Sequence, residues 1–164
     1  MNIKQTISKA KELRRADELD ESQELLLSLL DEYPNDPQVL FEVGGAYDVL
    51  DEARIALSYY QKAIDAGLEG DSLEECLVCI GVCQRGLGEM STAVATLEKA
   101  VAQFPDNNSS RVFLALAYYS DGQDDKAVQL LLDLLITTTQ DPEILEFAGV
   151  FDYYKDNLDE VWDN

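Results

Sequence analysis

Apolar residues along the chain recur three and four positions apart in stretches of a dozen or so residues, the spacing that lays one buried face along an α-helix. The stretches come in pairs. Between the members of each pair stands a polar or glycine break, at Asp17, Asp51, Gly88 and Gly122, where a tight turn is the natural reading. The pattern predicts helix, turn, helix, four times over, with the same relative placement of small and bulky residues each time.

That placement is periodic. Residues 46–63 read AYDVLDEARIALSYYQKA, and the same order of residue types returns as CQRGLGEMSTAVATLEKA at 83–100 and AYYSDGQDDKAVQLLLDL at 117–134, with ELRRADELDESQELLLSL at 12–29. The blocks start at 12, 46, 83 and 117, so the steps are 34, 37 and 34 residues. The longer step contains GLEGDS, residues 67–72, which predicts a lengthened turn. In each second helix a small residue (Ser22, Ala56, Ala93, Ala127) precedes a large one (Leu26, Tyr60, Leu97, Leu131) by four positions, so the two share a helix face. In each first helix the small residues are Ala10, Gly44, Gly81 and Ala115, followed three positions later by Leu13, Tyr47, Gln84 and Tyr118. Small residues there let paired helices approach, and the large ones fill the space beside them. Pro34 and Pro105 close two repeats, and Asp141-Pro142 opens a further helix.

Small residue, aromatic, turn, alanine, aromatic, alanine and closing proline at these offsets resemble the tetratricopeptide repeat, most clearly in Gly44, Tyr47, Ala56, Tyr60 and Ala63. The resemblance implies an all-α fold: antiparallel helix pairs stacked as a right-handed superhelix, an α-solenoid of about four repeats. The expected limits are 3–36, 37–73, 74–107 and 108–141 in a single domain of residues 1–164, with 142–155 as a following helix and 142–164 as the capping segment. The layout, including YYKDNLDEVW, is similar to small stand-alone bacterial tetratricopeptide proteins. It departs from the motif where a tryptophan is usual, at Thr6, Leu40, Leu77 and Arg111, and at Lys9 and Gln84. The first repeat is therefore expected to be a degenerate cap. At the other end Leu158, Val161 and Trp162 have the i, i+3, i+4 spacing of a capping helix face.

In that family the first helices line the concave surface. Carried over position by position, the resemblance places Phe41, Gly45 and Asp48 there from the second repeat, Val78, Val82 and Arg85 from the third, and Val112, Leu116 and Tyr119 from the fourth. Val150 and Tyr153 come from the extra helix. An apolar groove with isolated polar groups implies a non-enzymatic protein–protein interaction module that holds a peptide or helical segment of another protein. The family's carboxylate-clamp variety is disfavoured, because Ile7, Phe41, Val78 and Val112 stand where amide and ammonium donors are needed.

Charge narrows the partners. The chain has 33 acidic residues, 12 basic ones and no histidine, for a net charge of -21, which repels nucleic acid and anionic membrane surfaces. Its first fifteen residues run the other way, with Lys4, Lys9, Lys11, Arg14 and Arg15 against Glu12 alone. Lys4, Lys11 and Arg14 fall on one side of the first helix and read either as a contact face or as a solvated cap. A contact face there favours a second reading, self-association as a homodimer through the acidic surface of another copy. A third is a chaperone holding a secreted or aggregation-prone client, to which CQRGLGEMSTA is locally similar. No signal-peptide core or spanning stretch of eighteen apolar residues is present, so the expected address is cytoplasmic.

Nothing suggests catalysis or a cofactor. Cys76, Cys79 and Cys83 lie along one face of one helix but have no histidine and no fourth cysteine to complete a metal site, and cysteine packs well between helices. GVCQRGL starts like a phosphate loop but has Leu87 and Gly88 where lysine and a hydroxyl residue are required, and GLGEMS lacks the third glycine of a dinucleotide loop. Carboxylate pairs in so acidic a chain are read as a solvated face.

Overall fold

The computed structural model describes residues 2–163. Ten helices and no strand occur among them: α1 Ile3–Arg15, α2 Leu19–Glu32, α3 Pro37–Asp48, α4 Ala53–Asp65, α5 Gly70–Gly86, α6 Met90–Gln103, α7 Asn108–Ser120, α8 Asp124–Thr138, α9 Pro142–Glu146 and α10 Ala148–Lys155. They belong to two compact units, Met1–Gly88 and Glu89–Asn164. The boundary falls between the two helices of the third repeat.

In the first unit the repeat turns follow the sequence closely. Asp17 and Asp51 are left-handed, with φ of 64° and 60°. After each, an N–H reaches back five residues, Glu18 to the Leu13 carbonyl at 2.9 Å and Glu52 to that of Tyr47 at 3.0 Å. These bonds satisfy carbonyls that a helix end leaves orphaned, and short polar aspartate is among the few non-glycine residues that tolerate the conformation. Gly88 and Gly122 are left-handed too, at 83° and 74°. The helix starts are equally local. Asn2 and Gln5 form a reciprocal cap on α1, and Asp36 accepts from the Val39 N–H at 3.0 Å ahead of Pro37.

The 67–72 segment is where the expectation fails. Gly67, at φ 93°, ends α4, Leu68 is buried beside it, and α5 starts at Gly70. The three extra residues thus lengthen the helix to 17 residues instead of the turn.

Two apolar clusters hold this unit together. Ile7, Ala10, Leu26, Leu29, Val39, Val43 and Ala46 join α1, α2 and α3. Phe41, Ala56, Tyr60, Cys76, Ile80 and Cys83 join α3, α4 and α5. Helix α3 lies in both, which is why residues 39–44 are buried on every side. Tyr60, 1 % exposed, packs over Gly44.

The second unit is built on Val94, Leu97, Leu114 and Ala117, with Leu130 and Tyr118 at the margin. Its C-terminal part differs from expectation. The helix predicted over 142–155 is broken at Phe147, whose N–H bonds only three residues back, to Ile144, before α10 restarts; Gly149 weakens the ladder close by. Helix α10 ends at Lys155, where the Asn157 side-chain amide donates to the Tyr153 carbonyl at 2.8 Å. Residues 158–163 are not helical, and Val161 and Trp162 are 84 % and 72 % exposed, so they do not form the capping stripe. Leu131 is affected as well. Its counterparts Leu26, Tyr60 and Leu97 are all buried, whereas Leu131 is 43 % exposed, because helices of five and eight residues incompletely cover α8.

A Cβ added at Gly44 stands 2.6 Å from Tyr60 Cδ1 and 3.3 Å from the Ala56 carbonyl oxygen, whereas one at Gly45 meets only the flexible end of Arg14, at 3.2 Å. Gly44→Ala is expected to lower the urea-unfolding free energy by about 1–3 kcal/mol, the usual cost of overpacking. Gly45→Ala should cost distinctly less, and equal losses would contradict the interlock.

Candidate partner-binding surfaces

The residues assigned to the concave register fall into two groups. In the second repeat that register is occupied by the protein's own side chains. Phe41 is 5 % exposed and packs against the Tyr60 ring at 5.8 Å, so it is core and lines nothing. Gly45 is covered by the Arg14 guanidinium, whose Nη2 donates to the Glu42 carbonyl at 3.4 Å. Asp48 accepts from the Tyr60 hydroxyl at 3.1 Å and the Cys83 thiol at 3.3 Å. Val78 and Arg85 are half-buried, and Val82 is 37 % exposed.

Glu42 explains the filling. It is 2 % exposed, and a carboxylate so placed needs a counter-charge and hydrogen bonds. Lys11 reaches it at 2.7 Å and Gln38 donates to it at 3.1 Å, while Ser72 donates to Gln38 at 2.8 Å. The network ties α1 to α3 and α3 to the start of α5. Lys11 and Arg14 are therefore engaged within the unit, and of the three basic candidates Lys4 alone points freely to solvent. Glu42 was missed from sequence, although it is the single charge in the run VLFEVGGA.

The three cysteines belong to the same interior. Cys76 and Cys83 are buried and Cys79 is half-buried; Cys76 donates to the Tyr60 carbonyl at 3.7 Å. Burial pushes the Cys76 and Cys83 thiols up to about 12, with nearby negative charge adding to it, and pushes Cys79 to about 11. Burial, then the Cys79 and Asp48 charges, raises Tyr60 also. Such thiols are protonated and unreactive near neutrality.

In the second unit the register is open. Val112, Leu116 and Tyr119 are 42 %, 41 % and 67 % exposed, and their i, i+4, i+7 spacing makes one stripe on α7. Tyr153 on α10 is 50 % exposed, and its hydroxyl donates to Glu160 at 2.9 Å, which with burial raises its pKa. Val150 is 47 % exposed. A second apolar row, Val128, Leu131 and Leu135 on α8, was not assigned from sequence, because an unbroken helix over 142–155 was expected to follow α8.

Helix pairs with this register are those of repeat proteins that bind other proteins. The family model described as "Tetratrico peptide repeat" matches residues 37–140, and the chain belongs to that family. Over 147 residues, 85 % of this chain, it is 26 % identical to Homo sapiens aspartyl/asparaginyl beta-hydroxylase and 24 % identical to the Mus musculus protein. The chain spans about a fifth of the length of those relatives. Among solved structures, MamA residues 41-end from Desulfovibrio magneticus RS-1 is similar at TM-score 0.72 and 19 % identity, covering 94 % of this chain and 85 % of that one. YrrB, described as a TPR protein with an unusual peptide-binding site, is similar at TM-score 0.69 and 20 % identity, covering 94 % and 78 %. At these identities the likeness shows the fold, and the fold is the all-α helix-pair repeat expected from the sequence. Proteins of this repeat family are generally non-enzymatic and act by binding proteins or peptides. No helix among the described residues is long and apolar enough to cross a membrane.

The thiols set a pH dependence. Below pH 9, their ordinary value, folded and unfolded chains both keep the protons and stability is full. Between about 9 and 12 the unfolded chain ionises first, so stability falls as pH rises through that window. Urea midpoints are expected to decline from pH 9 to 11 and to decline less in the Cys76→Ala, Cys83→Ala double variant, each compared with its own value at pH 7.

Proposed function

We propose that the protein is a non-enzymatic interaction module that holds a peptide or helical segment of another protein, residues 1–164 working as one tetratricopeptide domain, and that the second unit's α7 is its principal contact. The observation that supports this reading is the uncovered stripe Val112, Leu116 and Tyr119. Phe41 and Tyr60, aromatics at repeat positions of the first unit, are buried; Tyr119 is not. Large side chains left open on one helix face are characteristic anchors, because an apolar partner removes them from water without disturbing a packed core.

The partner's chemistry follows from the surroundings. The stripe carries no charge of its own and sits on a chain of net charge -21, so apolar residues flanked by lysine or arginine suit it best. In the first unit Val82 offers a smaller exposed patch, while the Lys11–Glu42 and Arg14 contacts already fill the neighbouring positions.

The test separates the two units. Leu116→Glu with Tyr119→Ala should weaken binding of a captured partner by about tenfold or more, as loss of an interface anchor does. Val82→Glu should weaken it less, and circular dichroism should show both variants as helical as wild type. Retention of full affinity by the folded Leu116→Glu, Tyr119→Ala variant would overturn the assignment.

A further inference from the structure

The second unit also contains an open cleft of about 550 Å3 where α7, α8 and the end of α10 come together. Its apolar part is made by Leu114, Leu130 and the Tyr118 ring, and Lys126, Asp133 and Asp156 stand round it. The ring is fixed in place, its hydroxyl donating to Glu98 at 2.6 Å.

The charges in the cleft are unequally satisfied. Asp133 is bound by Arg111 at 2.6 Å and Lys155 at 3.6 Å, Lys155 is held again by Asp152 at 2.7 Å, and Asp156 accepts from Gln129. Lys126 has no carboxylate partner among the described residues, in a chain with 33 acidic residues; its ammonium lies over the Tyr118 ring, 5.4 Å from the centroid. An apolar floor under one unneutralised cation suits a bulky apolar side chain that brings a carboxylate with it.

A segment of that kind leaves the fold at the rim of this cleft. Asp156 lines it, and the adjoining hollow includes Leu158 and Asp159 together with Lys155, Gln129 and Asp125. Asp125 repels carboxylates on that side, so a segment is rewarded only for reaching Lys126. Six residues beyond Asp156 stands Trp162, 72 % exposed, with Asp159, Glu160 and Asp163 about it. Six extended residues span up to roughly 20 Å, enough to bring the indole back over the cleft. A free acidic peptide is repelled by the net charge of -21. A tethered one is not so handicapped, since its effective concentration is on the order of millimolar.

We propose that this cleft is a binding site for an apolar side chain flanked by carboxylates, and that the chain's own segment 157–163, through Trp162, is the strap that closes over it. The structure shows the strap off the cleft, with Glu160 held by the Tyr153 hydroxyl; closure gives up that bond and exchanges an exposed indole for contact with Leu114, Leu130 and Tyr118. Any outside ligand of the cleft must displace the strap, which makes it an intrinsic competitor. The α7 stripe plays no part, so this inference does not rest on the function proposed above.

Trp162 is the single tryptophan, so its fluorescence reports the strap in the full chain. Acrylamide should quench it several-fold less efficiently than it quenches a free peptide of residues 157–163. Lys126→Glu should restore efficient quenching, lowering the closed-to-open ratio by about tenfold, while Lys126→Arg keeps the protection. Lys126 is exposed, and circular dichroism checks that both variants are folded. Quenching in wild type equal to that of the free peptide, or protection that survives Lys126→Glu, would overturn the proposal. So would protection that appears only as protein concentration rises, which would assign the cleft to a second copy's segment.

Discussion

How closely the two helices of a repeat can approach is the constraint on which the rest depends. At Gly44 the backbone of α3 comes so near the Tyr60 ring that even a methyl group does not fit. Tyr60 is fully buried, and its hydroxyl bonds Asp48 on the helix it packs against. Ala10 and Ala115 hold the equivalent position with almost no exposure. Close approach draws the first helices into contact with the core on several sides. The consequence is most marked in α3, which has little surface left for anything else.

From this follows the division of labour between the units. A helix as enclosed as α3 cannot keep a carboxylate without compensation, so Glu42 draws in Lys11 and Gln38, and Arg14 lies across Gly45. Positions that in a more open repeat face a ligand are thereby used for internal structure. On α7 the charge contacts run through Arg111 and leave Val112, Leu116 and Tyr119 in water. This is the row that the proposed partner would cover.

The repeat was legible in the sequence because its signals are local. Asp17, Asp51, Gly88 and Gly122 take the left-handed conformation because a three- or four-residue helical turn requires it there, and short polar residues and glycine accept it. The small residues of the first helices were readable for a similar reason. What could not be read depended on neighbours distant in sequence. Phe41 and Val112 occupy the same register position, yet one is enclosed and the other is not, because enclosure depends on which helices pack alongside. Glu42 carries no local sign that Lys11 and Gln38 will enclose it. Leu158, Val161 and Trp162 had the spacing of a helix face, but periodicity alone does not form so short a helix, and the Asn157 side chain caps α10 just before them. The extra residues at 67–72 carried two glycines, both left-handed, of which Gly67 follows the end of α4 while Gly70 opens α5.

The central claim is that the register position that is core at Phe41 of α3 is free surface at Val112 of α7. The most direct measurement is the pair of unfolding free energies for Phe41→Ala and Val112→Ala, by urea denaturation without any partner. Phe41→Ala should cost about 3–5 kcal/mol, as removal of a buried ring does. Val112→Ala should cost less than about 1 kcal/mol, in the range of surface substitutions. Similar losses at the two positions would mean that α7 is as enclosed as α3, and the surface assigned to partner binding would not exist.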